Sequence, residues 1–138
     1  MGYTLFISDV HLDPDDQTSQ EALTRFLRTQ AIKADALYVL GDLFDYWLDD
    51  DQVDGLSPDL IDSFQMLSVH QVPVFFMHGN HDFLIGKRFL DKMSMTFLPD
   101  PSVVTLYGKK LLLSHGDLFC SEDRRYQQMR SCFRHALF

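Results

Sequence analysis

The sequence predicts an α/β fold in which a mainly parallel sheet is followed by an antiparallel hairpin. Three observations predict it. Apolar runs at residues 3–8, 36–40 and 74–77 each end in a polar turn motif. Segments with apolar residues at helical spacing separate the runs, as crossovers between parallel strands require. After residue 100 the pattern becomes two short runs around a glycine, which suits a hairpin.

Tyr3 to Ser8 reads as the first strand. Thr18-Ser19-Gln20-Glu21 then reads as a capping box, because a Thr hydroxyl and a Glu three residues on satisfy each other's backbone donors. Ala22, Leu23, Phe26, Leu27 and Ala31 form the apolar stripe of that helix. Ala36 to Leu40 is the second strand, and Ser57-Pro58 opens a second helix with Leu60, Ile61, Phe64 and Leu67 on its apolar face. Val74 to Met77 is bulky throughout, as expected of a parallel strand buried on both faces. A short helix is expected after Gly86. Val103 to Leu106 and Lys110 to Ser114 flank Tyr107-Gly108-Lys109 as a hairpin, and Glu122 to Phe138 reads as a helix with Tyr126, Met129, Phe133 and Leu137 on one face and arginines on the other.

The 138 residues fit a single domain, 1–138, of which 46% are hydrophobic and 12 are Phe. That composition belongs to globular chains and excludes the disordered class. No basic, apolar leader opens the chain and no apolar run approaches a membrane span, so a cytoplasmic protein is expected. Cys120 and Cys132 are too few and too far apart for a disulfide framework and are expected to be buried thiols. The net charge of −8 is uneven: residues 1–85 hold 15 acidic and 3 basic side chains, and residues 86–138 hold 5 and 9, a tail of 9 − 5 = +4. Such a tail suits a surface that meets phosphates or an anionic membrane, and equally a solvated helix face.

Chemistry is concentrated at the strand ends. Asp9-Val10-His11, Gly41-Asp42, Gly79-Asn80-His81-Asp82 and Ser114-His115-Gly116-Asp117 each follow an apolar run. In an open α/β sheet that is where ligands bind. Carboxylate, carboxamide and imidazole donors without thiolate suit Mn²⁺, Fe²⁺ or catalytic Zn²⁺. Asp42, fixed by the Gly41 turn, is the candidate bridge between two cations, with Asp9 and His11 on one side and Asn80 and His115 on the other. Two cations sharing a hydroxide can drive an in-line phosphoryl displacement. His81 is placed to donate to a phosphoryl or leaving oxygen, and Asp82 to orient His81 or His115. His70, His78 and His135 lack this context and read as ordinary core or surface histidines. The acidic run Asp45, Asp49, Asp50, Asp51 and Asp54 is no EF-hand, because Ile61 would fill the position that needs a bidentate Glu. It reads as a solvated loop in which Trp47 is either core or pocket rim.

The set Asp-x-His, Gly-Asp, Gly-Asn-His-Asp and a later His resembles the calcineurin-like metallophosphoesterase family. The stretches 5–12, 33–44, 82–89 and 114–117 resemble more closely the branch of that family acting on UDP-2,3-diacylglucosamine in lipid A biosynthesis. The resemblance implies a sandwich of mixed β-sheets flanked by helices, and Mn²⁺-dependent hydrolysis of the substrate's pyrophosphate to lipid X and UMP. It implies two Mn²⁺ ions, the first held by Asp9, His11 and Asp42 and the second by Asp42, Asn80 and His115. It further implies substrate contacts at Asn80, His81, Asp123 and Tyr126, with Asn80 and His81 catalytic. The implied partners are the UDP-linked diacylated glucosamine and the cytoplasmic face of the inner membrane, and no nucleic acid. That branch usually carries Arg where His81 stands. Its members are longer, with a Gly-His-x-His motif near the end that this sequence lacks. The chain is therefore expected to be an N-terminal portion with an incomplete second sheet, weak metal binding and little turnover of its own. A general phosphodiesterase and a non-catalytic module on the same scaffold are the alternatives.

Overall fold

The computed structural model describes residues 1–120 and 122–137, of which residues 133–137 by backbone alone. Strands β1 (Thr4–Ile7), β2 (Ala36–Leu40), β3 (Val74–Met77) and β4 (Met95–Phe97) form a parallel sheet in the order β1-β2-β3-β4. Helices α1 (Gln17–Thr29), α2 (Pro58–Val69) and α3 (Lys87–Lys92) are the crossovers. Each strand is added on the same side of the one before it, so right-handed crossovers place all three helices on one face. The core shows this directly. Leu23 and Leu27 of α1, Leu60, Phe64 and Leu67 of α2 and Phe89 of α3 cluster with Leu37, Val39, Val74 and Phe76 of the sheet.

The opposite face carries Ala36, Tyr38 and Met77, and against it lies the hairpin of β5 (Ser102–Leu106) and β6 (Lys109–Leu113). Phe6, Tyr38 and Phe75 share one register row across three strands, and their rings stack at 5.2 and 4.7 Å. The hairpin tip is tied down by the Tyr107 hydroxyl, which donates to Asp35 at 2.6 Å and meets Thr4 Oγ1 at 2.9 Å. Helix α4 (Arg124–Leu137) follows the hairpin.

Several local expectations are corrected. The α1 cap is Asp16, not Thr18: the Asp16 carboxylate accepts the Thr18 N–H at 3.0 Å, so Thr18 is already helical. Ser57 precedes Pro58 as expected, yet its side chain makes no cap bond, and its N–H instead donates to the buried Gln20 at 2.9 Å. Strand β4 was not expected, because three residues are too few to display a period. The last helix starts at Arg124 instead of Glu122, and its Phe133, His135, Leu137 and Phe138 side chains lie outside the described residues. Cys120 and Cys132 are free but exposed, since both fall beyond the sheet on the periphery. His78 is a core histidine that meets the Ile85 carbonyl at 2.7 Å, and His70 bonds within α2.

Residues 49–54 are not a loose loop. Asp50 accepts from the Trp47 indole at 3.1 Å and from the Gly86 and Phe89 N–H groups at 2.9 and 3.0 Å, which ties the start of α3 to the loop after β2. Trp47 is thereby core, 2% exposed against Phe44 and Phe89. Arg88 pairs with Asp51 and Asp54 on the outside. Asp50→Ala would strand three donors, one of them on a buried ring, and should lower the unfolding free energy by about 2 kcal/mol. Asp51→Ala removes only an exposed ion pair and should leave the urea midpoint unchanged. Urea titration of the two variants checks this; equal losses would contradict the role given to Asp50.

Candidate metal centre

The parallel sheet delivers three of the four motifs to one edge, and the hairpin brings the fourth. Beyond their last paired residues, the β1 and β2 segments stay in register: Asp9 N–H donates to the Gly41 carbonyl at 3.1 Å, and His11 N–H to the Asp42 carbonyl at 3.0 Å. Asp9, His11 and Asp42 all adopt left-handed backbone, with φ of 53°, 51° and 52°. Such conformations are uncommon outside glycine and cost free energy, so the surrounding bonds must hold them. Gly41, at φ 89°, has no room for a side chain: a Cβ there would lie 2.6 Å from His115 Nδ1 and 2.7 Å from the Gly79 Cα.

Asp9 and His11 are held by those bonds to the β2 side, and Asp42 is held by Asp82. Its carboxylate is fully buried and accepts from the N–H groups of Asp42 at 3.2 Å, Leu43 at 2.7 Å and Gly79 at 2.8 Å. The expectation that Asp82 orients His81 or His115 is corrected, because its oxygens are committed to backbone. Burial pushes the Asp82 carboxyl above its ordinary range, against the opposing pull of these N–H bonds.

Asp42 sits at the middle of the donor set. Its Oδ2 is 3.6 Å from His11 Nε2 and 3.4 Å from His115 Nε2, while Oδ1 accepts the His81 N–H at 2.9 Å. Asp9 Oδ1 lies 3.6 Å from His11 Nε2, and Asn80 Oδ1 lies 2.9 Å from His115 Nε2. The five residues expected to hold cations therefore converge, with Asp42 between a His11 side and a His115 side. His115 Nδ1 meets the Leu40 carbonyl at 2.8 Å, which fixes the ring so that Nε2 faces the centre. His11 is fixed likewise by Asp45, whose Oδ1 is 3.2 Å from Nδ1. His81 Nδ1 meets the Asp45 carbonyl at 2.7 Å.

Asp45 is the residue the sequence reading missed as part of the site. It was assigned to the acidic run, and its place three residues beyond Asp42, on the same strand-end loop, was the available signal.

The charges reinforce this arrangement. The Asp42 carboxylate holds the His115 imidazolium up to about 9 against the contrary effect of burial. Burial pushes the Asp42 carboxyl upward, but the hydrogen bonds from His115 and His81 outweigh it and leave the group below its usual range. His115 Nε2 thus faces both the Asn80 Oδ1 and the Asp42 Oδ2.

Beside this edge, Asn80, His115, Gly116, Asp117, Cys120, Asp123 and Tyr126 line a cleft of about 400 Å³. Asp123 and Tyr126 are thus brought next to two of the ligand candidates. The Tyr126 hydroxyl donates to Asp117 at 2.6 Å, and Asp123 accepts the Tyr126 N–H at 3.0 Å. Arg130 is not on a solvated face: it is 11% exposed and bonds Asp117 at 3.0 Å and Asp100 at 2.8 Å. Part of the positive tail is therefore spent on docking α4 against the hairpin.

The model of the calcineurin-like phosphoesterase family matches residues 3–134. The chain belongs to the calcineurin-like phosphoesterase family. Members of this metallophosphoesterase family use divalent metal ions, and the oxygen and imidazole donors gathered around Asp42 fit such ions. Among similar proteins, the UDP-2,3-diacylglucosamine hydrolase of Aeromonas salmonicida is 50% identical over 92% of this chain and 50% of its own length. The proteins of that name from Vibrio cholerae and Stenotrophomonas maltophilia are 46% and 47% identical over 94% and 98% of this chain, and 53% and 54% of their own lengths. The chain spans about half the length of the curated relatives it matches. Among the described residues, no helix is long and apolar enough to cross a membrane.

A cation at His115 must displace the Nε2 proton. Because that proton is held up to about 9, apparent affinity should weaken about tenfold for each pH unit below that value. Calorimetric titration with Mn²⁺ at pH 6.5 and 7.5 should show this loss together with proton release. An affinity independent of pH would remove His115 from the ligand set.

Proposed function

We propose that this chain carries the core of a hydrolase that splits the pyrophosphate of UDP-2,3-diacylglucosamine into 2,3-diacylglucosamine 1-phosphate (lipid X) and UMP, a step of lipid A biosynthesis. The observation that carries the reading is the placement of Asp42 Oδ2 between His11 Nε2 and His115 Nε2, at 3.6 and 3.4 Å. The names of the relatives supply the substrate.

On this reading two Mn²⁺ ions are the cofactor, one held by Asp9, His11 and Asp42 and the other by Asp42, Asn80 and His115. Two bound cations supply Lewis-acid polarisation of the phosphoryl oxygens and an ionised water near neutral pH. The residues do the rest. Asp42 sets the separation of the two positions, and Asn80 contributes a neutral oxygen that leaves net positive charge for the phosphates. The His81 ring, anchored through Nδ1, presents Nε2 to the reacting phosphate, where its protonated form donates to a phosphoryl or leaving oxygen. Asn80, His81, Asp123 and Tyr126 contact substrate, the last two from the wall of the neighbouring cleft. Water adds to one phosphorus and the bridging P–O bond breaks, so that UMP leaves one side and the acylated sugar phosphate the other.

A diacylated substrate lies in a bilayer, and the enzyme would meet it as a peripheral protein at the cytoplasmic face of the inner membrane. Exposed Lys109, Lys110, Arg124 and Arg125 supply charge of the right sign for anionic lipid.

The test is Mn²⁺-dependent UMP release from UDP-2,3-diacylglucosamine in detergent micelles, by this chain alone and by the chain extended to the length of its relatives. The extended protein should release UMP, the chain alone should do so far more slowly, and Asp42→Ala should reduce release at least about a hundredfold. Hydrolysis of a simple phosphodiester without UMP release would replace the lipid substrate by a general one. No hydrolysis of either would leave a binding module.

A further inference from the structure

Beside the donors centred on Asp42 stands a second cluster, His11, Asp45 and His81, whose ligand atoms all lie within 4.8 Å of one another. It is richer in nitrogen, with two imidazoles and one carboxylate. Imidazole suits Zn²⁺, Ni²⁺ and Cu²⁺, whereas carboxylate and carboxamide oxygens suit Mn²⁺. The two clusters share only His11, and they approach it from opposite ring nitrogens: Nε2 faces Asp9 and Asp42, and Nδ1 faces Asp45.

Geometry suits a small cation. His11 Nδ1 lies 3.2 Å and His81 Nδ1 4.0 Å from Asp45 Oδ1, and the two rings meet edge to face with centroids 5.0 Å apart. Ligand atoms around a tetrahedral zinc are about 3.3 Å apart, given bonds near 2.0–2.1 Å. The His11 leg is already in place, and the His81 leg must shorten by about 0.7 Å, a small ring movement for an exposed side chain. Side chains that are 35%, 57% and 44% exposed leave the position open to solvent.

We propose that His11 Nδ1, Asp45 Oδ1 and His81 Nδ1 form an inhibitory site for an imidazole-preferring divalent cation such as Zn²⁺. A ring that coordinates through Nδ1 keeps its hydrogen on Nε2. His11 Nε2 then carries hydrogen toward Asp9 and Asp42 and no longer ligates. His81 is at the same time withdrawn from the Asp45 carbonyl that anchors it. Zn²⁺ at this site and Mn²⁺ between Asp9 and Asp42 thus exclude each other through the tautomer of one histidine. The exclusion, though not the Zn²⁺ binding, rests on the metal-centre reading above.

The test is a calorimetric Zn²⁺ titration of the chain in Mn²⁺-free buffer and after Mn²⁺ loading, with released Mn²⁺ counted by electron paramagnetic resonance. Asp45→Ala, Asp45→Asn, His81→Ala and His115→Ala variants are compared after circular dichroism shows them folded. One Zn²⁺ event should weaken at least tenfold in His81→Ala and in either Asp45 variant, and persist in His115→Ala. In the loaded chain that event should release Mn²⁺. Zn²⁺ binding unchanged by the Asp45 and His81 substitutions would overturn the site. Binding that depends on them but releases no bound Mn²⁺ would overturn the exclusion. Failure of Mn²⁺ to bind at all would count against the metal-centre reading alone, because the Mn²⁺-free titration reads the Zn²⁺ site independently.

Discussion

The carboxylate of Asp82 is the interaction on which the rest of the site depends. It sits in the core and takes backbone N–H groups from the loops that end β2 and β3, among them the N–H of Asp42 itself. A buried carboxylate without partners would be strongly destabilising, so its four N–H contacts, from Asp42, Leu43, Phe44 and Gly79, are the reason it can be there. They also fix the two loops against each other at a spacing that only Gly41 and Gly79 permit. Asp42, left-handed like Asp9 and His11, is held by this clamp, and the β1 segment is tied to it through the Asp9 and His11 N–H bonds to the Gly41 and Asp42 carbonyls.

Much of this was legible in sequence. Parallel strands carry their carboxyl ends to one edge, so motifs placed after three successive apolar runs had to meet, and Asp9, His11, Asp42 and Asn80 do. His115 was legible because a hairpin strand ends at it. What was not legible depended on contacts between distant residues. Asp82 reads in sequence as a partner of its neighbour His81 or of His115, whereas its carboxylate takes backbone N–H groups that include those of residues 39 and 40 positions away. Asp50 reads as part of a solvated loop, and Trp47 as either core or pocket rim, because their partners at the start of α3 are distant in sequence. Asp16 took the α1 cap from Thr18 since both residues have capping chemistry, and the choice between them is one of backbone geometry. Strand β4 was too short to show a pattern.

Charge asymmetry proved less simple than its arithmetic. Residues 86–138 are net positive, yet Arg88 pairs with Asp51 and Asp54, Lys87 with Asp91, and Arg130 with Asp100 and Asp117. The pairing of Arg130 has a positional effect, because it draws α4 onto the hairpin and sets Tyr126 and Asp123 on the wall of the cleft beside Asn80 and His115. One group of charges thus shapes the wall of a cleft, whereas Lys109, Lys110, Arg124 and Arg125 remain exposed. The His81 ring, to which we assign the phosphate contact, also completes a nitrogen-rich cluster with His11 and Asp45.

The central claim is that Asp42 stands between two cations. Anomalous diffraction at the manganese edge, from crystals grown with excess Mn²⁺, tests it most directly. The account predicts two peaks flanking the Asp42 carboxylate, one against Asp9 and His11 and one against Asn80 and His115. Peaks confined to the acidic segment 49–54, or an Asp42 carboxylate that touches no ion, would contradict it.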